Sequence, residues 1–284
     1  MARLNRVIEM ISSGRPAFGS SCAPGSISDA IWHASSQYDF LVFEQEHQAF
    51  DLADLRLSLQ FMLDRRQILE SGTLAPRCVP FVRIPVNGRE RSEWIVKQVL
   101  DIGVYGILFP MIETPEDAVA ALRACRYPQR RDAPDQEPVG VRGHSPGTAM
   151  RYWGLDEKEY TRRADVWPLD PNGEILPVLM CETMATIERL PAILDAVGNK
   201  PGVIHIAEKD LSVSMGLDGA YTPEVAAAVQ RAVAICRERG VPCGSPQVRK
   251  DNVEQRINDG FQFLMPRPGR DTSALQLGRT VAGR

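Results

Sequence analysis

The sequence predicts an α/β fold closed as a (β/α)₈ TIM barrel, and three observations carry that prediction. Short apolar runs recur eight times along the chain, and amphipathic stretches with recognisable ends separate most of them. The runs are near-continuous rather than alternating, as in parallel strands buried on both faces. The chain has 284 residues, and such barrels run to ~250 residues as one unit. A single barrel domain over 1–284 is therefore expected. A doubly wound open sheet is the rival architecture. It calls for a glycine-rich turn after the first strand, and AFGSSCAPGS matches G-x-G-x-x-G only loosely.

The elements follow in order. Leu4, Val7, Ile8 and Ile11 fall at helical spacing. That opening stretch has neither the apolar core nor the small-residue cleavage site of an export signal, so a cytoplasmic protein with no membrane span is expected. Strands are expected at Ala17–Ser20, Phe40–Phe43, Val79–Ile84, Gly106–Pro110, Leu176–Cys181, Val203–Ala207, Val241–Gly244 and Phe261–Met265. Thr114-Pro115-Glu116 and Thr222-Pro223-Glu224 each supply an N-cap hydroxyl, proline at the first helical position and a carboxylate where the helix dipole favours it. Gly103, Gly240 and Gly260 stand where helices should stop. Val225, Val229, Ala232, Val233 and Cys236 share one helix face, which should lie on the sheet. The polar segment at about 129–175 breaks the rhythm. A loop of that size is expected to be a functional lid or an excursion toward a partner subunit.

Composition excludes several classes. Net charge is −3 with both signs interspersed, so no basic stripe exists for nucleic acid. The six cysteines are scattered without a C-x-x-C pair, which argues for reduced, mostly buried thiols rather than a disulfide framework or zinc ribbon.

Barrel enzymes place their chemistry at the C-terminal rim of the strands, so the residues ending each run matter most. LVFEQEH ends in Glu44, Glu46 and His47; PFVRIP holds Arg83; LPVLMCE ends in Glu182; VIHIAEKD leads to Asp210. Glu182 and Asp210 lie one βα unit apart, so neighbouring strands can present two hard oxygen ligands to one point. That donor set suits Mg²⁺ or Mn²⁺, whereas zinc favours His and Cys. Read alone, Glu182 could equally pair with a rim cation, and Asp210 could cap a loop.

The ordered series LVFEQEH, PFVRIPVN, VLDIGVYGILFPMIET, GVRG, CET and KDLSVSMG resembles the landmarks of the class II metal-dependent pyruvate aldolases, the HpcH/HpaI family. The matching stretches are D-G-E-H-like, R-P-x-x-N-like, D-x-G followed by P-M, an R-G turn, Q-I-E and G-P-x-D-L-S. The resemblance runs from about residue 15 to about residue 270.

It implies a phosphoenolpyruvate/pyruvate-type barrel, a lyase that cleaves a 4-hydroxy-2-oxo acid to pyruvate or an analogue plus an aldehyde. Glu182 and Asp210 would hold the divalent metal, Mg²⁺ or Mn²⁺ with Co²⁺ as a further choice, and the reaction would pass through a stabilised enolate. Arg83 would add positive charge beside the developing oxyanion. His47 would be the base, through a bound water, with Glu44 orienting its imidazole. Asp101 would act across a subunit interface in a homo-oligomer, a trimer or hexamer. Small-molecule oxo acids and aldehydes would be the partners.

Two departures from the family pattern bear on pyruvate binding. Met180 stands where the family has glutamine, and Ala207-Glu208-Lys209-Asp210 replaces G-P-x-D. Ala207 can still let backbone N–H groups approach a carboxylate, and Lys209 can supply a cation. In GVRGHSPG, His144 is a candidate substrate contact and Arg142 a candidate partner for a distal carboxylate, the geometry a guanidinium suits. Arg151 is a second such cation, and Tyr152, Trp153 and Trp167 could wall the segment. His33 and His205 are expected to be structural. Alternative uses of the same rim are decarboxylation, thioester cleavage or hydrolysis, or oxo-acid binding without turnover.

Overall fold

Strands β1 (Ala17–Cys22), β2 (Phe40–Glu44), β3 (Val79–Arg83), β4 (Gly106–Phe109), β5 (Leu176–Cys181), β6 (Val203–Ile206), β7 (Cys243–Val248) and β8 (Phe261–Pro266) pair in parallel, each with the next. β8 returns to β1, so among the described residues the sheet is a closed barrel. This computed structural model describes residues 2–86 and 92–284. Asn87, which ends the PFVRIPVN stretch, lies outside the described residues. The closed barrel bears out the eight-strand reading and removes the open-sheet rival. The largest change is in β7, which begins at Cys243 and runs out through Ser245 and Pro246 to Val248 with register shifts against β8, while the other strand ends differ from expectation by at most two residues. Its apolar start at Val241-Pro242 is the helix exit that feeds it, and Pro242 O accepts from Ile204 N–H.

The barrel interior is aromatic. Phe40 stacks on Phe263 at 4.0 Å between ring centroids, and Phe81 lies 5.5 Å from Phe40. Gly106 makes this layer possible, since a Cβ there would stand 2.0 Å from the Phe81 ring. The flanking helices begin as their caps require. Thr114 and Asp117 form a reciprocal capping box at the helix Pro115–Cys125, and Thr222 caps Pro223–Glu238. Val225, Val229, Ala232, Val233 and Cys236 are all buried on the expected face. The opening helix spans Arg6–Ser12 and buries Val7, Ile8 and Ile11. Five cysteines are buried, Cys22 is half-buried and all six are free. Among the described residues no helix is long and apolar enough to cross a membrane.

The segment 129–175 is not a lid over the strand ends of its own chain. It follows the helix Pro115–Cys125 and leads into β5, so it lies at the N-terminal face, opposite the rim. It contains helices Gly147–Trp153 and Glu157–Arg163 and an isolated bridge, Val166 to Ile175. Arg126, fully buried, ties it down with a two-bond fork onto Asp165 (2.7 and 3.0 Å) and bonds to Pro138 O and Asp135 O. Trp153 stacks on Tyr105 at 4.4 Å and donates to Gly103 O. Tyr152 and Trp153 therefore pack under the barrel rather than walling a substrate pocket.

Candidate active site

Four strand ends meet at one mouth. β2 and β3 finish side by side in Glu44 and Arg83, which are register partners. β5 hands on directly to Glu182, and β6 runs through Ala207 into the short helix Glu208–Ser214, which carries Asp210. A cavity of about 440 Å³ lies between them, with Glu44, His47, Arg83, Met180, Ala207 and Asp210 on its wall.

Arg83 organises the acidic side of this cavity. Its Nε and Nη2 reach Glu44 Oε2 at 2.7 and 2.5 Å, and its Nη1 lies 3.1 Å from Glu46 Oε2. The other Glu44 oxygen accepts the backbone N–H groups of Glu46 (2.8 Å) and His47 (3.1 Å). Glu44 thus fixes the turn and the guanidinium but does not reach the imidazole, contrary to the role expected of it. The carboxylate beside the imidazole is Glu46, whose Oε2 is 3.3 Å from His47 Nε2. Glu46 was visible in the sequence at the same strand end. Alternation along a strand could not say which of the two acids would turn toward the ring.

Glu182 is buried and accepts the Met111 N–H at 2.6 Å. Met111 holds a left-handed conformation, φ 54°, which is unusual for a residue with a side chain. The β4 loop is pinned in that shape by Thr186 Oγ1 donating to Ile112 O and by Thr183 Oγ1 donating to Glu113. Burial pushes the Glu182 carboxyl up to about 7; the Met111 bond and Arg83 oppose the shift, and the charges of Glu46 and Asp210 reinforce it. Burial likewise pushes Glu46 up to about 7, against the pull of Arg83 and with the repulsion of Glu44 and Asp210. Glu182, Glu46 and Asp210 therefore lie within electrostatic reach of one another.

These shifts predict the pH dependence of the protein freed of metal. A carboxyl whose pKa rises on folding holds its proton more tightly in the folded state, so its stabilising effect is complete below the unfolded value. It is lost as pH climbs from 4.5 through about 7. Chelator-treated protein should accordingly melt higher at pH 5 than at pH 8 through these two groups. Calorimetric melting in matched ionic strength checks this, and a melting temperature that rises over that interval would contradict the shifts.

His205 is buried on β6, as the sequence predicts, but it is not the hydrogen-bonded core imidazole expected there. Instead it faces the cavity from β6, lies edge-on to Phe263 and has no protein partner for its buried Nδ1. Burial, and after it the repulsion of Arg83, pushes its pKa down to about 3, so it stays neutral. Gly244 on β7 makes its seat: a Cβ there would meet His205 Nδ1 at 2.5 Å and Phe263 O at 2.6 Å. Gly244→Ala should cost about 1–3 kcal/mol, the usual cost of overpacking, measured as a lowered denaturant midpoint at unchanged m-value. His33 fits its structural assignment: it is buried and its Nδ1 bonds Asp29 O at 2.8 Å.

Glu208 stands where the resembled pattern has proline. It is buried at the head of its helix, where Arg256 Nη2 binds it at 2.6 Å and Ser245 Oγ donates at 3.2 Å. Such a pair is weak evidence for added stability; it ties the head of the helix Glu208–Ser214, which carries Asp210, to the helix Val253–Asn258. Lys209 and Asp210 are exposed at the rim, and Ala207 is buried beneath them.

Asp101, Arg142 and His144 are not part of this cluster. Asp101 lies in the last turn of the helix Glu93–Ile102, just before β4, at the N-terminal face. Arg142 Nη2 binds Asp101 Oδ1 at 2.7 Å and the Tyr160 hydroxyl at 3.0 Å, and its guanidinium lies 4.4 Å over the Tyr127 ring. His144 rests against Tyr127, 3.7 Å from Glu157. None of the three touches the rim of its own chain, because the intervening helix carries them to the opposite end.

Among the described residues no group of three or more His, Cys, Asp or Glu side chains forms a metal cage. Glu182 and Asp210 are hard oxygen donors of the kind a divalent ion takes and lie within electrostatic reach of each other, but only Asp210 lies on the cavity wall and Glu182 is buried. Burial first, and the neighbouring negative charges after it, raise the Glu46 and Glu182 carboxyls, with Arg83 opposing both shifts.

Comparison with known proteins gives a consistent set. A family model described as HpcH/HpaI aldolase/citrate lyase matches residues 23–266. The 4-hydroxy-2-oxovalerate aldolase of Rhodococcus jostii is 28% identical over 92% of this chain and 88% of its own length. The hydroxypyruvate/pyruvate aldolase of Roseovarius nubinhibens is 31% identical over 81% of this chain and 77% of its own. Among solved structures, a HpcH/HpaI aldolase/citrate lyase family protein from Burkholderia cenocepacia superposes with a TM-score of 0.73 at 24% identity, covering 98% of this chain and 97% of that one. At that identity the superposition supports the barrel alone.

Proposed function

Because the chain belongs to the HpcH/HpaI aldolase/citrate lyase family, we propose that it is a metal-dependent aldolase. It cleaves a 4-hydroxy-2-oxo acid to pyruvate, or an analogue, and an aldehyde, and it catalyses the reverse addition. The observation that carries the reading is the convergence of His47, Arg83 and Asp210 on one cavity, with Glu182 buried within reach of their charges. In this reading Glu182 and Asp210 hold Mg²⁺ or Mn²⁺, and the bound ion supplies Lewis-acid polarisation of the oxo group.

The side chains do the rest. Arg83, fixed by Glu44, places its positive charge where the enolate oxygen develops. His47, beside Glu46, takes the C4 hydroxyl proton as the C3–C4 bond breaks and returns it in the addition direction. Ala207 leaves backbone room for the substrate carboxylate, and Lys209 at the rim adds a cation to it. Met180, in contrast to an amide, can offer no hydrogen bond on the β5 side. Asp101, Arg142 and His144 serve the reaction only from a second copy whose N-terminal face meets this rim. We propose a cytoplasmic homo-oligomer, a trimer or hexamer, on that account. The exposed Trp94 and Phe50, in edge contact near the mouth, support a covered flank.

Pyruvate formation from a 4-hydroxy-2-oxo acid, followed by coupled lactate dehydrogenase with Mg²⁺ or Mn²⁺, tests the reading. Turnover should be abolished by EDTA and restored by metal. Metal-dependent exchange of the pyruvate methyl protons without cleavage would point to another use of the enolate, such as decarboxylation. Neither signal across a range of oxo acids would end the enzyme reading. His47→Ala should lower cleavage by about 10²–10⁴, the usual share of a general base, while leaving Mn²⁺ binding intact. Cleavage at the wild-type rate would remove His47 from the chemistry.

A further inference from the structure

A second and larger cavity opens beside the first on the same rim. Its volume is about 550 Å³, and Lys209 and Gln247 belong to the walls of both. Residues that follow β6, β7 and β8 (Lys209, Arg249 and Arg267) line it, in the region where barrels of this class frequently hold an anionic group, and it extends along the helices Pro223–Glu238 and Val253–Asn258, which contribute Gln230, Gln255 and Arg256. Its charged lining is predominantly cationic. Arg256 is spoken for, since it is buried against Glu208. Lys209 and Arg267 have no ion-pair or hydrogen-bond partner among the described residues, and Arg249 holds only the exposed Asp251, at 3.0 Å. The opposing acid, Asp259, accepts the Gln255 amide at 2.7 Å.

The Lys209 stem is guided between the two spaces. Its Cγ and Cε pass where a Cβ on Gly219 would stand 3.4 Å away, so the loop backbone lies close beneath it. Exposed pairs such as Arg249–Asp251 contribute little and release the guanidinium readily. Three cations without strong internal partners thus face a cavity that shares the walls Lys209 and Gln247 with the one holding the reacting groups. Charged hydrogen bonds to a phosphate or carboxylate would satisfy them.

We propose that this second cavity is the subsite for an anionic group on the far end of the aldehyde half, held by Lys209, Arg249 and Arg267. The inference rests on the aldolase reading for which half of the substrate enters, and on the cavity itself for the charge it prefers. The enzyme would then select aldehydes that carry a phosphate or carboxylate remote from the carbonyl. Lys209, at the boundary, would contact that group and the oxo acid in turn.

Matched acceptors test it. With pyruvate and Mn²⁺, glyceraldehyde 3-phosphate is compared with glyceraldehyde, and succinic semialdehyde with butanal. The phosphate pair and the carboxylate pair distinguish the two sources of charge. At least one anionic acceptor should exceed its neutral partner by ~10-fold or more in kcat/KM, the scale of one charged hydrogen bond. In the double variant Arg249→Gln/Arg267→Gln that preference should fall to within about three-fold, with the neutral acceptor unchanged. Equal use of charged and neutral acceptors by the wild type, or a preference that survives in the double variant, overturns the subsite while leaving the aldolase reading in place. Should no acceptor react, the aldolase reading fails, and calorimetric titration with inorganic phosphate decides the subsite separately. Binding weakened at least five-fold in the double variant supports it, and equal binding rejects it.

Discussion

Replacing Glu182 with glutamine should reduce cleavage of a 4-hydroxy-2-oxo acid by at least ~10³-fold, equivalent to about 4 kcal/mol of transition-state stabilisation. The substitution is close to isosteric, and the Gln side-chain oxygen can still accept the Met111 N–H that Glu182 accepts at 2.6 Å. The β4 loop and the barrel should therefore stay as they are. What disappears is one of two anionic ligands, and a hard divalent ion is poorly held by a single carboxylate. Calorimetric titration with Mn²⁺ should show the loss directly. The same variant should be more stable than the wild type at pH 8 in the presence of EDTA, because a buried charge has been removed from among its like-charged neighbours. Turnover within ten-fold of wild type at saturating Mn²⁺ would dismiss Glu182 as a metal ligand. A large activity loss with a collapsed near-ultraviolet spectrum would assign it a structural role instead.

Arg83→Met is the second large effect and separates folding from chemistry differently. Methionine keeps much of the stem's packing but removes the fork that holds Glu44 at 2.7 and 2.5 Å and Glu46 at 3.1 Å. Two carboxylates are then left half-buried without their cation, near Glu182 and Asp210. Breaking a buried pair on one side typically costs about 3–5 kcal/mol; with these groups partly exposed, a loss of about 2–3 kcal/mol is expected. Catalysis should fall by about 10²–10³, the loss seen when one oxyanion donor is removed. Arg83→Lys should recover most of the stability but little of the rate, because an ammonium cannot reproduce the planar fork. Exchange of the pyruvate methyl protons is the sharper readout, since it needs the enolate but no aldehyde. Exchange at the wild-type rate in Arg83→Met would exclude this guanidinium from oxyanion stabilisation.

The barrel was legible because its signals are local. A parallel strand buried on both faces is a short continuous apolar run, and a capped helix announces itself in Thr-Pro-Glu. β7 was misplaced at its end because CGSPQV carries polar residues and a proline into the mouth, where the apolar run has stopped but the backbone pairing continues. The positions of Glu44, His47, Arg83, Glu182 and Asp210 followed from strand ends, which a barrel must bring together. Their contacts did not follow. Whether Glu44 or Glu46 meets the imidazole depends on the turn that the Glu44 oxygen builds, and the lock on Glu208 comes from Arg256, 48 positions later in the chain (256 − 208).

The face on which 129–175 lies was recoverable in principle. A capped helix at Thr114 separates it from β4, and whatever follows a helix in a βα unit emerges at the bottom. Segment length drew attention to the residues without regard to that order: Arg142 and His144 were read as substrate contacts from their chemistry, whereas Asp101 was placed across a subunit interface by the resemblance alone.

The seat of His205 against Gly244 also constrains how this protein can change. A larger residue at 244 collides with the ring, while loss of the ring alone empties space beside the aromatic layer, so each exchange is handicapped in the background of the other. Neighbours in contact are where additivity fails. Removing the ring relieves only part of the clash at 244, since a Cβ there would also stand 2.6 Å from Phe263 O, so the two exchanges should couple without fully rescuing each other.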